Sequence, residues 1–507
     1  MQDKLRASLR DVRIPAAIIS LVLSAWSVFL DDVVNNDGVL YLRAADLLVH
    51  GEWDAAFNLY KWPFYSLLIA VTGQITGFSL EYSAHLLNAV LSALAVVCFI
   101  SLVREVGGDS KTVLVAALVV LLYPGINEYR SFIGRDAGYI AFYLLSLLLL
   151  FKYVNSPRFG YAIGWPSLMF VAALFRIEGF VFVAMLPFLF YLDRRAGRGI
   201  GVGGFSALVG AAFGLAVVLA WWFGGSITAP DPKTIGPEPI GLLQSLWETT
   251  TTAISTKITL LGETLLTKHA SDHASIVFFV SLLVILLAEI LGRLTLINAA
   301  LVGHALYHRL IFPMTRAKTT WIWLVLLNLA ILAILVLVRQ FVPGRLPLAL
   351  SLTLMLAVPF SLVALYERWR DQRTKRQTKS WLFPAACVLI LLFGLDGLYS
   401  PTGKTYLKEA GIWLRDNTPA QSTLLTNNQL LMFYAARNVY SDAGRFLPSH
   451  GLDFIKNKEW QDYDYLAIRI KSKQEKQKTS LIGTLSRDPV MRFANRKGDE
   501  VLIFKVH

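Results

Sequence analysis

Two aspartates beside apolar segments are the residues of this chain best suited to move a proton. Asp37 lies in NNDGVLYLRAADLL, and Asp136 lies in RSFIGRDA just before another apolar run. A carboxylate acts as a general base when partial burial brings its pKa toward the working pH. The simpler interpretations are an N-cap for either residue and a salt bridge for Asp136. Asp136 is alternatively a second acid or a ligand of a divalent metal, although two carboxylates without histidine indicate a metal only weakly.

A second group of charged residues interrupts or flanks apolar stretches. Arg176 and Glu178 break the apolar stretch 163–191, and Arg339 and Arg345 flank the short segment RQFVPGR. Ionisable groups at membrane depth are rare and commonly functional, and a guanidinium binds phosphate through two parallel hydrogen bonds. The alternatives are an internal ion pair for the first two and contact with lipid headgroups for the second two. The sequence thus predicts as phosphate ligands Arg345, Arg339 and Arg176, and as structural or substrate-pocket residues Glu178, Lys61 and Asp32.

The elements that must position these residues are membrane helices. Hydrophobic residues make up 55% of the 507-residue chain, and the mean hydropathy is +0.53. Apolar runs of about 17–22 residues are long enough to cross the bilayer. The predicted spans are 14–30, 82–103, 111–123, 137–153, 202–223, 276–291, 321–338, 347–366 and 381–398, with two short helices meeting at RIEG inside 163–191.

Basic loops then set the topology, because positively charged loops stay on the cytoplasmic side. The basic segments are the N-terminal thirteen residues, the loop with Arg104 and Lys111, Arg293–Lys318 and Glu367–Lys379. The segments left for the outer side are Asp31–Glu81, Pro124–Asp136, Gly224–Ser275, Arg339–Arg345 and the tail after Leu398. Eleven spans fit, with the N-terminus inside, provided that Pro63–Gly77 and Ala299–Phe312 do not cross. Pro63–Gly77 reads as an interfacial or re-entrant helix.

The tail differs in composition from the rest of the chain. Periodicity predicts a helix over Thr405–Arg415, strands over Ser422–Thr426 and Tyr465–Ile470, and a hairpin of 491–495 with 500–506. We therefore expect a mainly α polytopic membrane protein with two domains. These are a transmembrane domain, 1–398, whose first outer loop is 31–81, and a small extracytoplasmic α/β domain, 399–507.

Other features narrow the function classes. The net charge of +13 is spread over many loops that face anionic lipid, which disfavours nucleic acid as a partner. Cys98 and Cys387 both fall in apolar spans, so no disulfide framework is expected. The N-terminal apolar segment lacks a small-residue cleavage site and reads as a retained anchor. The sequence contains no Walker loop, GxSxG or CxxC motif, and hence no support for ATP-driven transport.

The order of these features resembles the GT-C superfamily of integral-membrane glycosyltransferases, in the branch of protein O-mannosyltransferases and lipid A aminoarabinose transferases. The stretches that carry the resemblance are NNDGVLYLRAADLLVHGEW with KWPFYSLLIAVTGQITGFSLEYSAHLLN, then ALFRIEGFVFVAMLPFLF, then YLKEAGIWLRDNTP with LLTNNQLLMFYAARNVY. In this family the first outer loop carries an acidic catalytic residue and two helices that lie along the membrane. Asp37 matches that acid, and Pro63–Gly77 resembles the second helix. Asp37-Gly38 replaces the commoner Asp-Glu pair, so Asp31 and Asp32 compete for the role.

The resemblance implies a glycosyltransferase that takes a sugar from a polyprenyl-phosphate donor and transfers it to a lipid, glycan or protein acceptor outside the membrane. Arg345 falls where the family often places a basic residue near the donor phosphate. A bacterial inner membrane and an undecaprenyl carrier are implied as well. No cofactor is certain, and a divalent metal is a possible one. The alternatives are a lipid-linked oligosaccharide ligase or polymerase, and a lipid or solute transporter, although the sequence shows no internal repeat.

The topology predicts the accessibility of two engineered cysteines in a chain whose native cysteines are replaced by serine. Gln474→Cys should react with a membrane-impermeant maleimide in intact cells, because the tail lies outside. Arg373→Cys should react only after the membrane is opened, because its loop is cytoplasmic. Protection at position 474, or labelling at position 373 in intact cells, contradicts the predicted orientation.

Overall fold

The structure is a computed structural model, and it describes most of the chain. The described residues are 11–192, 251–267, 269–311, 315–375, 381–399, 403–437, 444–446, 459–474, 481–483, 485 and 487–507. The predicted span 202–223 lies outside them. The chain divides into two compact units. One comprises 1–24, 87–130 and 135–398, and the other comprises 25–86, 131–134 and 399–507.

Helices dominate the described residues. In chain order they are α1 Arg13–Leu30, α2 Asn36–Val49, α3 Trp53–Leu59, α4 Phe64–Thr76, α5 Leu80–Glu105, α6 Ser110–Leu121, α7 Pro124–Asn127, α8 Asp136–Asn155, α9 Phe159–Phe175, α10 Glu178–Leu192, α11 Ala274–Leu294, α12 Leu296–Tyr307, α13 Thr315–Arg339, α14 Leu348–Met355, α15 Val358–Thr374, α16 Leu382–Leu398, α17 Thr405–Asn417 and α18 Gln429–Tyr434. Residues 251–260 are also helical, and a π-helical turn, Leu261–Leu265, follows them.

Six helices among the described residues are long and apolar enough to cross a membrane, so the chain is an integral membrane protein. They are Arg13–Leu30, Leu80–Glu105, Asp136–Asn155, Ser271–Leu294, Ala317–Arg339 and Leu348–Thr374. The total of eleven spans stays a prediction. The predicted span 347–366 consists of two helices, α14 and α15, which are separated near Pro359.

The expected break at RIEG is confirmed. Helix α9 ends at Phe175 and α10 begins at Glu178, with Arg176 in an extended conformation between them. Helix α9 packs closely on α8 because Gly138 leaves room for the ring of Phe175. A Cβ at Gly138 would lie 2.1 Å from Phe175 Cε1. The apolar stretch 163–191 is thus a helical pair and not one long helix.

Contacts within the first unit place its loops at two ends. Most loops lie at the end that the distribution of basic residues predicted. At one end Asn155 Nδ2 donates to Glu105 Oε1 at 2.9 Å, and Lys111 Nζ lies 3.2 Å from Glu367 Oε1. Glu105, Lys111 and Glu367 belong to segments assigned to the cytoplasmic side. At the other end Arg176 pairs with Asp136, so RIEG and the second outer loop share one end, as expected.

Arg293 is an exception, and its predicted placement is wrong. The sequence assigned it to the cytoplasmic side, whereas Glu128 and Gly344 were assigned to the outer side. Arg293 Nη1 lies 2.7 Å from Glu128 Oε2, and Arg293 Nε donates to the carbonyl oxygen of Gly344 at 2.7 Å. The rule that positive residues mark the cytoplasmic side fails for Arg293, because Glu128 neutralises its guanidinium.

Helix α12 covers most of Ala299–Phe312, whose expected failure to cross the membrane stays a prediction. It begins just after Arg293, and His304 Nδ1 near its end lies 2.7 Å from Ser361 Oγ. Ser361 belongs to α15, whose Glu367 pairs with Lys111 at the opposite end. Helix α12 therefore runs from the Arg293 end toward the Lys111 end. Its twelve residues rise only about 18 Å, which is too short for a hydropathy pattern to predict a full span.

The second unit contains α2, α3, α4 and the α/β part of the tail. Its sheet, within the described residues, has five strands in the order β2-β1-β3-β5-β4, and they are β1 Leu424–Thr426, β2 Gly444–Phe446, β3 Tyr465–Ile470, β4 Met491–Ala494 and β5 Glu500–Lys505. Strand β1 pairs in parallel with β2 and β3, whereas β5 pairs antiparallel with β3 and β4.

The predicted tail elements are found at nearly the predicted positions. The hairpin of β4 and β5 turns at Gly498, which has φ +80°, and Asn495 Oδ1 accepts hydrogen bonds from the backbone of Lys497 and Asp499. Alternate residues of β3 and β5, among them Leu466, Ile468, Leu502 and Phe504, form one buried core with Trp460. The sequence analysis missed α18 and β2.

Candidate functional site

A buried arginine organises the charged residues of the first unit. Arg176 is 6% exposed, and its guanidinium pairs with Asp136 and, at 2.7 Å, with Glu178 Oε1. Its Cζ also lies 5.8 Å from the ring centre of Tyr139. A guanidinium with two carboxylate partners is strongly held, because a buried guanidinium without any partner would be an uncompensated charge. The structure thus shows the ion pair that was the simpler interpretation of Arg176 and Glu178.

Asp136 lies between two arginines. Its Oδ1 contacts Arg176, and its Oδ2 lies 3.6 Å from Arg345 Nη1. Asp136 is the first residue of α8, where its charge also favours the positive end of the helix dipole. A carboxylate held this way is suited to orienting Arg345. It is poorly suited to abstracting a proton, because both oxygens face positive charge.

Arg345 is the accessible member of the group. Its side chain is 28% exposed, compared with 7% for Arg176. The 3.6 Å separation from Asp136 exceeds an N–H···O hydrogen-bond length, so attraction between charges holds this pair without a hydrogen bond. Arg339, by contrast, is the exposed last residue of α13 and does not line the cavity beside Arg345.

That cavity, of about 20 Å³, joins charged and apolar walls. Arg176, Glu178 and Arg345 form one wall, and membrane-helix residues such as Leu332 and Leu335 form another. A cavity of this volume holds about one water molecule. Charged groups at an apolar helix surface match a ligand with a polar head and an apolar chain.

Two further residues extend the charged group and were missed by the sequence analysis. Arg293 donates from Nη2 to the Tyr129 hydroxyl at 3.1 Å, and its Cζ lies 5.2 Å from the Tyr129 ring centre. Burial raises the pKa of Tyr129, and the nearby positive charge of Arg293 opposes this rise. Tyr129 therefore stays a neutral hydroxyl that can both donate and accept. An arginine at the end of the apolar helix α11 was the sequence signal that could have identified Arg293 as part of this charged group.

Asp37 stands at the start of α2 in the second unit. The N-cap position is held by Asn35, so Asp37 is the second helical residue and the N-cap interpretation is wrong. The predicted apolar face is confirmed, since Tyr41, Ala44, Ala45 and Leu48 are all buried. The Tyr41 ring packs edge-on against the Tyr65 ring of α4, with centroids 5.2 Å apart. The partly buried Asp37 is thus carried by a well-anchored helix.

Asn35 uses its side chain to bind another loop. Its Nδ2 donates to the carbonyl oxygen of Ile133 at 3.1 Å, and its Oδ1 accepts from the Ile133 amide at 2.9 Å. This pair of hydrogen bonds explains why the N-cap side chain does not cap the helix. It also explains Gly38, since a Cβ there would lie 2.9 Å from Asn35 Oδ1 and 3.0 Å from Ile133 Cβ. Close packing of the loop therefore excludes a larger residue after Asp37.

Asp32, another acidic residue of the first loop, has a structural partner in the tail. Asp32 Oδ2 lies 2.6 Å from Lys408 Nζ, which also lies 5.5 Å from the ring centre of Tyr434. The backbone amide of Val34 donates to the Tyr434 hydroxyl at 2.8 Å. Burial raises the pKa of Tyr434, so this hydroxyl stays neutral.

Asp31 and Lys61 complete the predicted first-loop residues. Asp31 is 6% exposed, and its Oδ1 accepts from the Val33 amide at 3.4 Å. Lys61 is exposed in the turn between α3 and α4. Neither residue therefore has the partly buried position that Asp37 has.

Comparison with known proteins rests on the fold. Neither protein-family models nor the sequences of curated proteins match this chain. The oligosaccharyltransferase AglB from Archaeoglobus fulgidus, in complex with an inhibitory peptide and a dolichol-phosphate, aligns with 97% of this chain and 74% of its own, at 11% identity and a TM-score of 0.53. The Archaeoglobus fulgidus oligosaccharyltransferase complexed with Zn and sulfate aligns with 96% and 72%, at 12% identity and a TM-score of 0.56.

This chain has the GT-C fold. The fold that the resemblance implied is therefore confirmed as a fold. ArnT from Cupriavidus metallidurans, bound to undecaprenyl phosphate, also aligns, with 97% of both chains at 15% identity and a TM-score of 0.40.

The described part of this GT-C chain does not fit a metal ion. No group of three or more His, Cys, Asp or Glu residues that could hold one occurs among the described residues. Asp136 and Glu178 direct their oxygens to arginines instead. The zinc bound by the archaeal oligosaccharyltransferase is a property of that protein.

The contact between Asn35 and Ile133 predicts a specific loss of stability in this GT-C fold. Asn35→Asp removes the Nδ2 donor and places a carboxylate against a carbonyl oxygen, at a cost of about 1–3 kcal/mol. The matched control is Asn36→Asp, which makes the same change at an exposed neighbour in the first helical turn. Hydrogen exchange read by mass spectrometry should accelerate at 131–134 in the Asn35 variant alone. Equal exchange in both variants contradicts the importance of this contact.

Proposed function

We propose that the chain is a membrane glycosyltransferase that moves a sugar from a polyprenyl-phosphate donor to an acceptor on the outer face of the membrane, in a bacterial inner membrane. The observation that carries this proposal is Arg345, a partly exposed guanidinium oriented by Asp136 beside the apolar surface of α13. A lipid phosphate needs a positive partner for its head and an apolar surface for its chain. The GT-C fold supports the proposal, since similar proteins are oligosaccharyltransferases.

In the proposed reaction Asp37 is the general base. Its carboxylate takes the proton of an acceptor hydroxyl or amine, and the acceptor atom attacks the anomeric carbon. The bond from that carbon to the donor phosphate oxygen breaks, and the lipid phosphate leaves with the electron pair. Arg345 stabilises the charge on the departing phosphate. A single displacement of this kind inverts the configuration at the anomeric carbon.

The other charged residues support these two groups. Arg176 is occupied by two carboxylates, so we propose that it fixes Asp136 and Glu178 and does not itself bind phosphate. Asp136 in turn orients Arg345. Arg339 contributes less to phosphate binding, because it is exposed at the end of α13 and away from the cavity.

Transfer of a preassembled oligosaccharide is the second candidate. The observation that favours it is the activity named for the two proteins whose fold matches with TM-scores above 0.5, since both are oligosaccharyltransferases. Mass spectrometry of surface glycans, lipids and proteins, with and without the active chain, separates the two candidates. A product heavier by one sugar supports the monosaccharide donor, and a product heavier by a whole glycan supports the alternative. No mass difference overturns both.

Asp37→Asn should leave a folded, membrane-inserted protein with transfer reduced about 10²–10⁴-fold, because asparagine cannot accept the proton. The lost charge at the start of α2 costs only about 0.3–1 kcal/mol of stability. The matched control is Asp54→Asn, an exposed aspartate in the first turn of α3 that suffers the same electrostatic loss. Near-normal turnover by the Asp37 variant contradicts its role as base. The same substitution at Asp31, Asp32 and Asp136 then tests its competitors.

Arg345→Ala should weaken donor binding more than acceptor binding, because it removes the charge that faces the phosphate. Arg345→Lys should recover only part of the affinity, since an ammonium cannot form the bidentate contact. Arg158→Ala, at an exposed arginine before α9, is the control. The measurement is the donor KM and the acceptor KM of each variant in nanodiscs. An unchanged donor KM in the alanine variant would contradict the role of Arg345 in binding the donor phosphate.

A further inference from the structure

A cavity in the second unit has no role in the chemistry described so far. It has a volume of about 290 Å³ and is open to solvent on one side. Its polar lining comprises Arg43 and Asp46 from α2, Glu81 from the start of α5, and Gln429 from α18. The Phe433 side chain forms part of another wall. The cavity thus combines charged, amide and aromatic groups from three helices.

The charged groups of the cavity balance one another. Arg43 Nη1 lies 2.6 Å from Asp46 Oδ2, so this pair is already oriented. Arg437, also in the lining, donates from Nη2 to Thr418 Oγ1 at 3.0 Å and to Ser422 Oγ at 3.2 Å. Two arginines and two carboxylates line the cavity, so the lining has no net formal charge. A strongly anionic or cationic ligand is therefore not favoured.

The pattern of donors and acceptors fits a polyhydroxylated ligand. A guanidinium only donates hydrogen bonds, a carboxylate only accepts them, and an amide does both. A hydroxyl also does both, so one sugar hydroxyl can pair with Arg43 and Asp46 together. The partly buried Phe433 ring offers an apolar face to the C–H groups of a sugar ring. A hydrocarbon chain would displace water from Glu81 and Gln429 without replacing its hydrogen bonds, which is costly.

The cavity also adjoins the helix that carries the proposed base. Leu40 lines the cavity and follows Asp37 by three residues on α2. Residues at this spacing are neighbours on a helix surface, about 4.5 Å apart along the axis. The edge of the cavity at Leu40 therefore lies within one helical turn of Asp37.

We propose that this cavity binds a sugar ring of a glycan acceptor, so that the acceptor of the transferase is a carbohydrate. This inference rests on the proposed function, because only a transferase has an acceptor. Binding of a sugar to the cavity is nevertheless measured without turnover. Of the three possible acceptor classes, lipid, glycan and protein, the inference favours the glycan.

The test measures saturation-transfer NMR between the protein in nanodiscs and a set of methyl glycosides, both hexopyranosides and pentofuranosides. At least one glycoside should receive saturation from the wild-type chain. Arg43→Met removes the donor and should weaken that binding about tenfold or more. The matched control is Arg415→Met, another ion-paired arginine on a helix of the same unit, outside the cavity. It should bind as the wild type does.

Several results overturn the proposal. The first is that no glycoside receives saturation from the protein at millimolar concentration. The second is an equal loss of glycoside binding in the Arg43 and Arg415 variants. The third is that short acetylated peptides receive saturation and glycosides do not. Asp37→Asn separates this proposal from the transferase function, because it should bind glycosides normally while it fails to turn over. If that variant keeps its activity, the base assignment falls and glycoside binding stands. If the Asp37→Asn variant loses activity and the wild type binds no glycoside, the sugar-binding role of the cavity is contradicted and the role of Asp37 as base is not.

Discussion

The compensation of buried charge by nearby opposite charge is the constraint on which the rest of this structure depends. Arg176 would be prohibitively costly inside an apolar layer, and Asp136 and Glu178 make its burial possible. The same pairing breaks a long apolar stretch into α9 and α10 and fixes the start of α8. A local electrostatic requirement thus determines where three helices begin and end.

The same principle separates residues that hold the fold from residues available to a ligand. Arg176 and Arg293 are tied to carboxylates, hydroxyls or backbone oxygens, whereas Arg345 is only loosely attracted to Asp136 and is partly exposed. In the second unit Asp32 is occupied by Lys408, whereas Asp37 is partly buried on an anchored helix. Occupied charges stabilise the unit that contains them. The partly exposed Arg345 and the partly buried Asp37 are the groups on which we base the proposed chemistry.

Close packing supports this division through two glycines. Gly38 admits the 131–134 loop beside α2, and Gly138 admits the Phe175 ring beside α8. Each glycine lies one or two residues after a predicted acid, so the backbone around each aspartate is fixed by steric fit as well as by hydrogen bonds. An extra methylene at either place would displace a neighbour, since interiors tolerate little added volume.

Much of this architecture is determined by the sequence alone. Hydropathy predicts the long helices, the charges of RIEG predict the helical pair, and Arg496-Lys497-Gly498-Asp499 predicts the hairpin turn, because these signals are local in the chain. Tertiary structure alone decided that Asn35 binds Ile133, that Asp136 serves two arginines, and that Arg293 lies beside Glu128. It also decided that the short α12 runs between the two ends. These outcomes depend on partners distant in sequence, and a residue's type does not specify which distant group will neutralise its charge or satisfy its hydrogen bonds.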